Sequence, residues 1–282
     1  MIWAIASFIY VHLGKQMSPL VLNFTKTTIA VGLILFTLLL QGQVPAMPLV
    51  PFGVLFLSGV IGIGIGDTAF FESLNCVGAR RSLLLEALAP PLTALLAALF
   101  LKEQLGVKTC FGIALTLAGV VWVVIERTPD DVESKFRPAR GIGFGLLAAI
   151  AQASGSVLSR AALVGSDISP LVSTLSRLLG GVFVLIPLLI LQPQLWQGLQ
   201  ALRSRRFLLV VTGTSFAGTY LAIWLLQTAL KYTKAGIAQS LSATSPLFVI
   251  PLALWAGERV SGRAILGAFI ALIGIWLLFD LS

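Results

Sequence analysis

Charged side chains stand inside long apolar runs, among them Lys26, Asp67, Glu72, Glu86 and Arg177. A charge near the centre of a bilayer costs about 2.5–3.5 kcal/mol on insertion scales, so it persists there with a partner or a task. Glu86 lies in Leu83-Leu84-Leu85-Glu86-Ala87-Leu88, and the nearest basic residue is Arg81, five positions away. A carboxyl so placed could take up a proton in one facing state and release it in the other, or contact a substrate amine. Lys26 and Arg177 could flank a substrate carboxylate or phosphate; the alternative is that they snorkel to an interface. Asp67 follows Gly62, Gly64 and Gly66 and could cap a locally broken helix, whereas Glu72 could neutralise Arg80 or Arg81 across the turn Gly78-Ala79-Arg80-Arg81. Prolines add a second kind of chemistry. Pro90, Pro91 and Pro246 would release the carbonyls of Glu86, Ala87 and Ser242 from the helical ladder. Carbonyls released at membrane depth face protein or a wet cavity. The polar residues Gln239, Ser240, Ser242, Thr244 and Ser245 lie beside Pro246, so a cavity wall and a packing kink both fit.

The elements that must hold these residues are membrane helices. The chain is 57% hydrophobic and 11% charged, with mean hydropathy +0.99, against about 25% charged residues in a soluble domain. Ten apolar runs follow one another, about 1–14, 19–41, 51–74, 82–101, 107–126, 141–163, 171–192, 207–230, 235–255 and 264–280. Most are long enough for a hydrocarbon core of about 30 Å. The first is short, so that helix is either truncated or preceded by an upstream initiator; with no basic start and no small-residue cleavage site it is not a signal peptide. The polar segment Arg127–Arg140 divides the chain into 1–126 and 141–282. The net charge of +8 collects in short loops rather than in a basic run interleaved with aromatics, which suits anionic head groups and excludes a nucleic-acid partner. One histidine, His12, and two cysteines, Cys76 and Cys110, expected on opposite membrane faces, give neither a metal site nor a disulfide. No phosphate loop and no hydrolase motif occurs, so no cofactor and no enzymatic activity is expected.

The two halves repeat. Pro91 matches Pro246, Glu103 matches Glu258, Gly112 matches Gly267 and Gly119 matches Gly274, each at a spacing of 155 residues. Ser18-Pro19-Leu20-Val21 recurs as Ser169-Pro170-Leu171-Val172, and at that spacing of 151 Lys26 falls on Arg177. Asp67, Glu72 and Glu86 have no acidic counterparts: 155 residues on stand Ala222, Gln227 and Leu241. Five helices per repeat is an odd number, so the second half must enter the membrane from the opposite face. The fold class is therefore all-α, ten transmembrane helices in two inverted five-helix repeats, with binding near the midplane between them. Gly62 with Gly66, and Gly112 with Gly119, read as close helix contacts. Glu103 and Glu258 read as carboxylates fixing the turn into the following helix, with Lys102 or Arg259 as partners.

Several stretches resemble a known family. Gly66-Asp67-Thr68-Ala69-Phe70-Phe71, Leu88-Ala89-Pro90-Pro91-Leu92-Thr93-Ala94-Leu95 followed by Glu103, and Ser242 to Leu247 running on to Gly257-Glu258-Arg259 resemble the EamA-type members of the drug/metabolite transporter superfamily. The resemblance implies secondary transport, often outward, of a small organic metabolite such as an amino acid, through a bacterial-type inner membrane. It also implies a central cavity between the first four and the sixth to ninth helices. It leaves the oligomeric state open, with a monomer sufficient. The family arrangement places both termini in the cytoplasm. Loops after odd-numbered runs, however, carry twelve Lys and Arg against five after even-numbered runs, which by the positive-inside rule places them outside.

Overall fold

The computed structural model describes residues 2–14, 16–42, 47–104, 106–125, 137–191, 200, 202–242 and 261–277. Its helices are α1 (Ile2–Leu13), α2 (Pro19–Leu40), α3 (Leu49–Gly59), α4 (Thr68–Glu86), α5 (Ala89–Phe100), α6 (Val107–Ile125), α7 (Pro138–Leu163), α8 (Pro170–Ile190), α9 (Arg205–Ser215), α10 (Ala222–Tyr232), α11 (Ala235–Ser242) and α12 (Gly262–Leu277). Two π-helical segments, π1 (Val60–Asp67) and π2 (Phe216–Leu221), join α3 to α4 and α9 to α10. Five stretches are long and apolar enough to cross a membrane: Pro19–Leu40, Leu49–Glu86, Pro138–Leu163, Pro170–Ile190 and Arg205–Tyr232. Leu39, Leu49, Phe100 and Trp276 stand mostly exposed on the outer surface, where lipid rather than water suits them. Pro246, Thr244, Ser245, Glu258, Arg259 and the side chain of Ser242 lie outside the described residues.

The Leu49–Glu86 stretch is not one rod. Gly78 has φ 77° and ψ 172°, a left-handed conformation that glycine adopts readily. The hydroxyls of Ser73 and Ser82 stand 2.9 Å apart, whereas nine residues of unbroken helix would separate them by about 13 Å. The chain therefore reverses at the expected turn. At the repeat-related position Thr233 ends α10 with extended backbone, φ −131° and ψ 167°.

Pro90 and Pro91 sit in the first turn of α5, after a break at Ala87-Leu88, rather than inside a continuous helix. A first-turn proline gives up an N–H that has no intrahelical partner in any case. The repeated Ser-Pro motifs are helix starts of the same kind. Ser18 Oγ accepts from Val21 N at 3.4 Å and Ser169 Oγ from Leu171 N at 3.3 Å, with Pro19 and Pro170 first in their helices.

The contact between α6 and α12 shows how the halves are related. A Cβ added to Gly119 would lie 2.5 Å from Ala271 N and 2.6 Å from Gly267 O. A Cβ added to Gly274 would meet Thr116 N and lie 2.7 Å from Gly112 O. Ala271 and Gly267 are the residues 155 positions after Thr116 and Gly112, so the second contact is the first with the halves exchanged. Gly112 faces Gly274 while Gly119 faces Gly267, and the two helices run antiparallel. A two-fold axis across the helix direction relates them, as an inverted repeat requires.

Candidate functional site

Helix α2 brings two polar side chains to π1 on one face, three residues apart: Asn23 and Lys26. Both are wholly buried. Lys26 Nζ donates to Asp67 Oδ2 at 2.6 Å and lies 5.5 Å from the centre of the Phe71 ring, which adds a cation–π contact. Lys26 therefore does not snorkel to an interface. Asp67 makes no capping hydrogen bond; it is the counter-charge to Lys26. Asn23 serves the backbone that the π-helical ladder leaves displaced. Its Nδ2 donates to Ile63 O at 2.7 Å and to Thr68 Oγ1 at 2.9 Å, while Thr68 Oγ1 donates to Gly64 O at 2.6 Å. The three glycines of π1 supply the room. A Cβ on Gly59, just before it, would run into the carbonyl of Arg177, so α8 lies directly against this segment.

Arg177 is 2% exposed. Its Nη1 donates to Gln227 Oε1 at 2.9 Å, and Gln227 Nε2 donates to Ser173 Oγ at 3.2 Å. The two repeats thus share a plan. In each, a cation on the second helix meets a polar side chain on the third: Asp67 at the end of π1, and Gln227 on α10 beyond π2. The π segments themselves correspond, since 155 residues carry Val60–Asp67 to 215–222, enclosing Phe216–Leu221. π-Helical segments inside α-helices frequently lie at functional sites.

Helix α7 closes this centre with small and polar residues. Ser58 Oγ donates to Gly155 O at 2.8 Å and stands 2.8 Å from Ser159 Oγ. Ser156 donates to Gln239 Oε1 at 3.2 Å, which joins one predicted residue to the inner wall. Gln152, Ser156 and Ser159 follow helical spacing and mark one polar face. The sequence reading passed over that face and over Asn23, although polar residues at i, i+4 and i+7 in an apolar helix are a readable signal.

Two predicted carboxylates lie elsewhere. Glu72 is 3.5 Å from Arg140 in a half-exposed pair, not against Arg80 or Arg81, and such a pair contributes little. Glu86 ends α4, half-buried, beside the break that precedes Pro90. Among the described residues Glu103 does not pair with Lys102, and its partners lie in the second half. It takes a hydrogen bond from Ala235 N at 3.2 Å and pairs with Arg160 Nε at 3.3 Å. Arg160 Nη1 also donates to the carbonyls of Leu230 and Lys231 at 2.7 and 2.9 Å. An acid thus caps the start of α11 and a base covers the end of α10, the two placements that the helix dipole favours. Glu103→Ala is expected to lower stability by about 1–2 kcal/mol through the lost cap. Glu103→Gln should lose less, because its amide oxygen still accepts from Ala235; equal thermal midpoints for the two variants in detergent would refute the capping role.

A buried, charged centre thus lies between two halves related by a two-fold axis. The family model that matches is the EamA-like transporter family, over residues 1–125 and 139–280. The chain belongs to the EamA-like transporter family. This is a family of transporters rather than of enzymes, and it places the EamA-like chain in a membrane with a small-molecule substrate. A solved crystal structure superposes with a TM-score of 0.74 over 99% of this chain and 92% of its own, at 18% identity, a likeness of fold. No curated protein matches the chain.

Proposed function

We propose that this EamA-like protein is a secondary transporter that exports a small organic metabolite, such as an amino acid, from a bacterial-type cell by alternating access. The moving parts are the inverted repeats 1–126 and 141–282, joined by 127–140. The observation that carries the reading is the pair of buried cations at matched positions, Lys26 held by Asp67 and Arg177 held by Gln227. A scaffold needs no charge at its centre, where each one is costly. A transporter uses such groups to bind a polar solute and to feel the switch between states. The outward direction rests on the family resemblance.

Glu86 is the proposed coupling carboxylate. It stands at the hinge between α4 and α5, where the helix is already interrupted, so its surroundings can differ between facing states. A coupling ion drives the switch only through unequal affinity for those states. In proteoliposomes, Glu86→Gln is expected to abolish uphill flux driven by a pH gradient while preserving solute exchange at equal pH. Full accumulation by the variant would remove Glu86 from the coupling role. Absence of flux for every small solute tried, with a folded protein, would favour a membrane scaffold or sensor instead.

A further inference from the structure

The guanidinium of Arg177 is engaged on one edge. Nη1 donates to Gln227, but Nε is buried and donates to no group among the described residues. Nε–H and the outer Nη2–H point the same way, and the Nη2 end of this edge lies against two glycines. A Cβ added to Gly62 would stand 2.9 Å from Nη2 and 3.3 Å from Gln152 Oε1; one added to Gly155 would stand 3.3 Å from Nη2. Gln152 Oε1 is itself a buried acceptor without a donor among the described residues. Beside the glycine floor, then, a buried Arg177 Nε donor and a buried Gln152 Oε1 acceptor both stand without partners among the described residues.

The charges at the centre are unbalanced in the same sense. Lys26 and Arg177 are both buried, and among the described residues Asp67, whose Oδ2 already lies 2.6 Å from Lys26 Nζ, is the buried acid. Among the described residues the two central cations, Lys26 and Arg177, thus have one buried carboxylate between them, and a buried charge without compensation is strongly unfavourable. One further negative charge restores the balance.

We propose that the Nε/Nη2 edge of Arg177, floored by Gly62 and Gly155 and flanked by Gln152, is the carboxylate subsite for the transported solute. The solute carries an amine or hydroxyl next to its carboxylate, as α-amino and α-hydroxy acids do. The proposal rests on the transport reading and names its substrate class. Two parallel N–H groups match the two oxygens of a carboxylate in a bidentate pair, and the adjacent donor satisfies Gln152 Oε1. A phosphate dianion fits less well, because it brings more negative charge than the site lacks and sets its oxygens against the Gln152 acceptor.

The test uses the full chain, in detergent for binding and in proteoliposomes for flux. The probes are a panel of L-α-amino acids and α-hydroxy acids, each with its carboxamide and with the amine or alcohol lacking the carboxyl. Acids of the panel should raise the thermal midpoint and move across the membrane, and their carboxamides should be at least about 10-fold weaker. Arg177→Gln should weaken acid binding on the order of 100-fold. Should that variant not fold, Gln152→Leu carries the test. Removing an unsatisfied buried acceptor should leave the empty protein as stable or more so, while binding of the acids weakens; a residue with a packing role only would not separate the two. Gly62→Ala, which crowds Nη2 from the floor, should weaken acids and spare their decarboxylated partners. Solutes moved without regard to the carboxyl overturn the subsite and leave the transport reading standing. Arg177-dependent acid binding without flux supports the subsite and overturns that reading. No response to any acid of the panel overturns the subsite.

Discussion

Asp67→Asn will lower the stability of the folded protein by about 3–5 kcal/mol, because it strands a buried ammonium without its counter-charge. Lys26 is wholly buried, 2.6 Å from Asp67 Oδ2, and an amide neutralises nothing. Lys26→Met is expected to be nearly as harmful, since it leaves the carboxylate alone instead. The double replacement Lys26→Met with Asp67→Leu removes both charges and keeps apolar volume. Buried pairs exchanged in this way are often neutral in stability, or better by about 1–4 kcal/mol. Unfolding of the parent, Lys26→Met, Asp67→Leu and the double variant in a common detergent measures the pair as a cycle, with Asp67→Asn as a fifth protein beside it. Equal losses in Asp67→Asn and in the double variant would show that the ion pair is not what holds α2 against π1. Flux then separates stability from function: a well-folded double variant that moves no solute places the pair in the transport cycle, and one with full flux makes it a dispensable strut.

The two-fold plan was legible because it is written in short, local signals. Ser-Pro helix starts and paired glycines act through their own backbone and survive in both halves. The partners of the buried charges were not legible in the same way. Lys26 was matched with Arg177 by spacing, but its bonding partner is Asp67, 41 residues away on another helix, and which helix a cation meets is set by packing. The same holds for Glu103, whose cap on Ala235 spans 132 residues. The π segments were half-visible. Three alternating glycines before Asp67 signalled a disturbed helix, yet the displaced ladder depends on Asn23 and Thr68, outside the glycine run, donating to the carbonyls of Ile63 and Gly64. Glu86 stood out in sequence because it is alone among leucines; the structure gives prominence to the hinge beside it.

Gly119→Leu and Gly274→Leu should cost alike, about 1–3 kcal/mol each or more, because they are one contact seen from its two ends. At Gly119 the added Cβ meets the backbone of Ala271 and Gly267, and at Gly274 it meets the backbone of Thr116 and Gly112. Backbone cannot rotate aside as a side chain can, so α6 and α12 must separate. Thr116 Oγ1 donates to Gly112 O at 2.8 Å and approaches Ala271 O at 3.4 Å, so separation also weakens the polar bridge at the middle of the seam. In hydrocarbon this loss is hard to replace, since association there depends on close packing of small residues rather than on expulsion of water. The double variant is expected to cost less than the two singles together, because one displacement of the helices accommodates both side chains. Alanine at either position should be intermediate. Gly143→Ala and Gly213→Ala serve as controls, since a Cβ at those positions meets nothing within 4 Å. If Gly119→Leu is severe and Gly274→Leu is silent, the seam does not have the two-fold symmetry that its contacts describe, and the inverted relation between the halves fails with it.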